Sequence, residues 1–363
     1  MVAAEAGLPI LLGFAMHNFD ELPLVDAIAG EPPAPTARPS ERFAVDDPRA
    51  YEHLAEHGYV VIREAADREQ TARIVGLFWD HLEGLGTGIK RDAPATWDDE
   101  RWIGDPTTGI LPDYGVPQSA MLWACRGLPR VEEAFARIWD TRDLLVSFDG
   151  GGAFRPVSFK GRWKTRTSWY HVDQNGVHER GFQCVQGLVN LIDAGPERGG
   201  LVVVPGSHLR HAAFFEARRQ EFAVVRGFVR ISPEWLARLS DQPPLKVCCE
   251  AGDLVLWDSR TVHCNTRALA KAAPLKKGEV PGLERLVAYV CMTPRHRAYH
   301  LAELVRDRHT AFMHGAGTNH VPHEFVVKPS PPGREGLPVL WKHVPAELSE
   351  RQRRLAGFDL LDA

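Results

Sequence analysis

From Leu144 onward the chain is a succession of short apolar runs broken by glycine turns, and this pattern restricts the fold more than any other feature. The runs are LLVSF, TSWYHVD, FQCVQGLVNLI, LVVVP, LKVCCE, DLVLWDS and RLVAYVCM, separated by turns such as DGGG, ERGG, PGS and AGD. Strands so short and so numerous, with few long helices between them, bury their apolar faces only by stacking sheet on sheet or closing a barrel. The expectation is a mainly β, antiparallel sandwich or barrel.

Helices are expected on both flanks. Asp47 before Pro48 is an N-cap and first-turn pair, and Gly58 ends the segment, so 48–57 is read as a helix. YVVIR at 59–63 is a strand. Ile74, Leu77, Phe78, Leu82 and Leu85 recur at helical spacing from Asp67 to near Gly86. Further helices are expected at 211–220, 296–309 and 346–356. Residues 87–130, rich in Trp, Gly and Pro, read as structured loops over the body. Residues 1–45, with GEPPAPTARPS at 30–40, read as an arm. Residues 46–330 then form one domain, and 331–363 a C-terminal extension packed on it.

Composition removes several classes of function. Net charge is −4 with a sequence pI near 6.5, so no basic field attracts nucleic acid. No basic amphipathic run suggests a membrane surface. The apolar stretch Leu8 to Met16 is too short to span a bilayer and follows no Lys or Arg. Six cysteines in 363 residues make no disulfide framework; reduced, buried thiols in a cytoplasmic protein are expected. The partner expected is a small molecule, and oligomeric state is not legible.

The chemistry concentrates in WYHVDQN at 169–175. On a strand, His171 and Asp173 project to one side. GDLVLWDSRTVHCN at 252–265 brings His263 at the end of a buried strand. Two imidazoles and a carboxylate on one side of a metal leave the opposite positions open, the facial triad of non-heme Fe(II) oxygenases. The same three ligands would also suit a cupin-like protein using Zn or Mn for hydrolysis or isomerisation. A jelly roll that only binds a ligand or senses iron is the other rival.

On these motifs the chain resembles the phytanoyl-CoA dioxygenase family over roughly residues 50 to 330. The resemblance rests on HGYVVIREA, WYHVDQN, GGLVVVPGSH at 199–208, GDLVLWDSRTVH and RLVAYVCMTP. It implies a double-stranded β-helix (jelly-roll, cupin-like) core that uses Fe(II), 2-oxoglutarate and O2. His171, Asp173 and His263 would be the iron ligands. Arg285 would clamp the far carboxylate of 2-oxoglutarate, although 22 positions separate it from His263, about twice the usual interval. The extra ALAKAAPLKKGEVPG reads as an inserted flexible loop, and Arg267 competes for the clamp. Lys160, on the preceding strand, and Asn265 are further cosubstrate contacts implied by the resemblance, and Gln186, on the strand after the WYHVDQN strand, is a further candidate that strand alternation could turn into the barrel. A carboxylate at Asp173 implies hydroxylation or a related oxidation rather than halogenation. Gln118, Trp123, Gln174 and Asn175 are candidate substrate contacts. His208, His178, Asp149 and Arg260 are read as structural.

Overall fold

The computed structural model describes residues 33–272, 276, 279–327 and 343–361. The Leu8–Met16 stretch, parts of the inserted loop and all of 328–342 lie outside the described residues. In chain order the elements are β1 (Thr36–Pro39), β2 (Arg42–Phe43), α1 (Pro48–His57), β3 (Tyr59–Ile62), α2 (Arg68–Gly84), β4 (Ile110–Leu111), α3 (Ala120–Arg126), α4 (Pro129–Trp139), β5 (Leu144–Val146) and β6 (Gly151–Phe154). There follow β7 (His171–Val172), β8 (Val185–Asn190), β9 (Gly200–Val203), α5 (Ser207–Ala217), β10 (Val229–Arg230), α6 (Pro233–Leu239), β11 (Leu245–Cys248) and β12 (Leu254–Asp258). The last are β13 (His263–Thr266), β14 (Arg285–Tyr289), β15 (Met292–Pro294), α7 (Leu301–His314) and α8 (Glu350–Ala356).

Strands β5 and β15 pair in a separate two-stranded sheet, and the others form two facing sheets. One runs β1-β11-β9-β13-β7-β10 and the other β2-β3-β12-β8-β14-β6-β4. Side-chain alternation assigns their faces. Val61, Leu188, Val255, Trp257 and Val287 of the second sheet meet Leu201, Val203, Leu245 and Val247 of the first in a shared inner core. The alternate residues of the second sheet, such as Val60, Leu254, Leu256 and Leu286, pack outward under α2, α3, α4, α7 and α8. Val172, Val202 and Cys264 of the first sheet pack outward under α5 and α6. This is the double-stranded β-helix with helices on both flanks.

Local signals explain the boundaries. Asp47 caps α1 by accepting from the Arg49 amide, and Gly58 closes it in the left-handed region at φ 79°. Asp67 and Gln70 form a reciprocal capping box on α2. Several expectations need correction. The end of the arm is woven into the fold: β1 pairs parallel with β11, β2 pairs parallel with β3, and Arg42 grips Asp253 at 2.8 Å. Residues 120–126, read as loop, form α3, capped by Ser119. The strand expected over 167–173 shrinks to His171–Val172, because Ser168 turns the backbone to φ 59°. Helix α5 starts at Ser207, earlier than expected, and α7 starts at Leu301, later.

Candidate active site

His171 and His263 stand directly opposite each other on paired strands β7 and β13. Their outward neighbours Val172 and Cys264 are in the outer core, so both imidazoles point inward between the sheets. Asp173 lies one residue beyond β7, in a bend, yet its carboxylate still meets both rings. Its Oδ2 is 3.3 Å from His263 Nε2 and 3.7 Å from His171 Nε2. One potential ligand atom from each residue lies within 4.8 Å of the others. Metal bonds of about 2.1 Å at right angles place neighbouring donor atoms about 3 Å apart, so the three donors fit one small cation.

Backbone contacts aim the rings. The Nδ1 of His171 is 3.1 Å from the Trp169 carbonyl, and that of His263 is 2.9 Å from the Thr261 carbonyl. Each Nδ1–H donates to its carbonyl, so the Nε2 lone pairs face the common point, the usual arrangement for metal-binding histidine. Trp169 and Phe228 both stack on the His171 ring, each centroid 4.7 Å from that of the imidazole. Burial and the neighbouring His263 push the His171 imidazole down to about 3, against the pull of Asp173. Burial disfavours charge on Asp173, but His171, the His263 contact and His320 outweigh it and hold the carboxyl well below its usual range. The result is an anionic carboxylate beside a neutral His171.

On the facing sheet, Arg285 opens β14 and is only 3% exposed. It shares the inward face with Val287. Tyr289 pairs with Leu188 and Val287 with Asn190, so Arg285 lies toward the end of β8 away from Gln186. Its guanidinium lies 5.1 Å from the centre of the Phe154 ring, and neither Nη1 nor Nη2 has a hydrogen-bond partner. Phe154 is itself wedged: a Cβ on Gly109 or Gly199 would come within 2.4 or 2.2 Å of its ring. Buried cationic donors without partners are costly, and they suit an anionic ligand. Arg267 is exposed.

The remaining expected residues divide. Asn265 faces inward on β13, two residues beyond His263. Gln186 faces inward and donates from Nε2 to Asp173 Oδ2 at 2.9 Å. Lys160 is not on a strand. It precedes a 3-10 turn and lies over the Trp163 ring, 5.3 Å from its centre. Gln118 and Trp123 are core residues, bonded to each other at 3.1 Å, with Gln118 also donating to the Ala316 carbonyl. The Gln174 amide donates to the carbonyls of Glu179 and Gly181 and accepts from Ser259. Asn175 donates to the carbonyls of Phe222 and Val225 and accepts from the Val177 amide. These four side chains spend their polar atoms on the scaffold. His208 and His178 contact the carbonyls of Ala55 and Ala223, and Arg260 pairs with Asp258, as structural readings require. Phe154, Phe228 and His320 had no local signal, because distant segments bring them to the site. Trp257 lies 5.3 Å from His263, ring to ring.

The phytanoyl-CoA dioxygenase (PhyH) family profile matches residues 157–267, which contain all three triad residues. The Ava biosynthesis cluster protein O of Aspergillus versicolor is 30% identical over 279 residues, covering 75% of this chain and 85% of that protein. Among solved structures, the non-heme alpha ketoglutarate dependent carbocyclase SnoK from nogalamycin biosynthesis aligns at 19% identity and TM-score 0.43, over 69% of this chain and 86% of its own. EctD from S. alaskensis with bound Fe aligns at 15% identity and TM-score 0.44, over 70% and 78%. The chain belongs to the phytanoyl-CoA dioxygenase family of Fe(II)/2-oxoglutarate-dependent dioxygenases.

Proposed function

We propose that this enzyme couples decarboxylation of 2-oxoglutarate to hydroxylation, or a related C–H oxidation, of a small to mid-sized metabolite. One observation carries the reading. Two imidazoles and a carboxylate converge on one point, while a buried arginine on the same inner surface keeps two donors unpaired. His171, Asp173 and His263 hold the iron, and Arg285 binds the far carboxylate of 2-oxoglutarate, with Asn265 on the wall between. Bound together, iron and 2-oxoglutarate supply the oxidising power drawn from O2, releasing succinate and CO2.

The protein's own residues prepare the site. The carbonyls of Trp169 and Thr261 fix the imidazole tautomers, and Trp169 and Phe228 hold the His171 plane and exclude water around it. Arg285 presents a permanent charge in a planar fork that matches a carboxylate. The biosynthetic-cluster name of the Aspergillus relative supports a metabolite as substrate. Six free, buried cysteines support a reducing, cytoplasmic setting. Residues 46–330 serve as the dioxygenase domain.

The test is anaerobic Fe(II) binding followed by succinate formation from 2-oxoglutarate. His171→Ala and Asp173→Ala should lose both together. Full succinate formation in either variant refutes the ligand assignment.

A further inference from the structure

Asp173 lacks what the two histidines have. Each imidazole is anchored on a strand and tied to a backbone carbonyl, whereas Asp173 sits past the end of β7, in a bend. A short carboxylate there can rotate about two side-chain torsions. The residue that meets it comes from the other sheet. Gln186 lies near the start of β8, with its backbone paired through Trp257 to β12. It is 4% exposed. Its Nε2 reaches across the space between the sheets to Asp173 Oδ2 at 2.9 Å, and that same oxygen faces both imidazole Nε2 atoms.

We propose that Gln186 is the positioning residue of the metal centre: it fixes Asp173 so that one oxygen, Oδ2, is held toward the two imidazoles before any metal arrives. The inference rests on the triad reading above. An amide suits this task better than a cation. It orients the carboxylate without cancelling the charge the metal needs. A hydrogen bond on Oδ2 also disfavours rotation that would offer both oxygens to the metal. The ligand set then stays at three, and the opposite positions stay open. Because the bond joins the two sheets, it also ties the spacing of the site to their separation.

Gln186→Met removes the donor at nearly constant volume. The metal-free protein is titrated anaerobically with Co(II), read by its visible ligand-field bands, beside wild type and His171→Ala. The expected result is Co(II) binding weaker by about 10- to 100-fold, with altered band intensity and an unchanged melting temperature of the metal-free protein. The requirement for 2-oxoglutarate at saturating metal should not move. Affinity within about two-fold of wild type in a normally folded variant overturns the positioning role. If Gln186→Met fails to fold, Gln186→Asn decides by the same titration, since it keeps the amide but withdraws it by one methylene. Should wild type bind Co(II) no better than His171→Ala, the triad reading itself has failed, and that result is visible without any Gln186 variant.

Discussion

Replacing Arg285 with Met should make the metal-free protein more stable and the enzyme worse. The side chain is buried, and its Nη1 and Nη2 have no hydrogen-bond partner. Each buried unsatisfied donor costs about 1–3 kcal/mol, more when charged. Methionine keeps most of the aliphatic stem but gives up the contact with Phe154, worth about 1–2 kcal/mol when desolvated. The net gain is about 1–4 kcal/mol. For a chain of this length that raises the melting temperature by roughly 1–5 °C. The cost falls on the ligand. Loss of a buried, charge-assisted pair removes about 2–5 kcal/mol, so 2-oxoglutarate should bind about 30- to several thousand-fold more weakly. The assay is thermal unfolding of the Fe(II)-loaded protein under anaerobic conditions, with and without 2-oxoglutarate. At 100 times the wild-type dissociation constant, the ligand stabilises wild type by about 2.7 kcal/mol; the same concentration should stabilise Arg285→Met by less than about 1 kcal/mol. Arg267→Ala, at an exposed position, should change neither quantity. A variant that is less stable than wild type yet responds to 2-oxoglutarate as fully as wild type would refute the argument.

Other expectations follow from single contacts. Gly199→Ala drives a Cβ into the Phe154 ring, which Gly109 blocks on its other edge. Steady-state kinetics should show a raised KM for 2-oxoglutarate with kcat less affected, and unfolding a loss of about 1–3 kcal/mol. Burial pushes His211 down to about 4, and its Nε2 meets the Gln174 carbonyl at 2.8 Å. The folded value lies below that of the unfolded chain, so the unfolded state takes up the proton first as pH falls. This stability is complete above about pH 6.5 and fades toward pH 4, with about 2 kcal/mol lost by pH 5. Denaturant midpoints at pH 7 and pH 5 should therefore diverge more for wild type than for His211→Gln, and equal shifts contradict it. Asn175→Ala strips hydrogen bonds from the carbonyls of Phe222 and Val225. It should cost about 2–4 kcal/mol of stability without changing which substrates are accepted, as a substrate panel would show.

Much of the architecture was legible because its causes are local. Asp47, Pro48 and Gly58 bracket α1 within twelve residues, and the runs around Val255, Leu188 and Val203 are apolar and bounded by turn signals. His171, Asp173 and His263 were legible because strand alternation orders their side chains, although β7 is shorter than its sequence suggests. What failed to appear depends on contacts across the chain. The arm reads as irregular from its prolines, yet β1 finds the open edge of β11. Gln174 and Asn175 flank the triad in sequence and so look like site residues. Only the carbonyls of Glu179, Phe222 and Val225, supplied from elsewhere, show them to be scaffold. Phe228 is 57 positions from His171 and reaches it because β10 pairs with β7.

The charges of the site favour the oxygenase over a hydrolytic jelly roll with the same ligands. A buried site is stable only when its charges nearly cancel. Asp173 contributes one negative charge and Arg285 one positive, and His171 stays neutral. The protein's own charges are therefore balanced, though carried by opposite sheets. A divalent cation at the triad upsets that balance by two units, and a dicarboxylate dianion lying between triad and arginine restores it. A metal-bound hydroxide restores only half and leaves the Arg285 donors unpaired. The ligand-free fold carries that buried guanidinium with two donors unpaired, a cost that a carboxylate ligand removes.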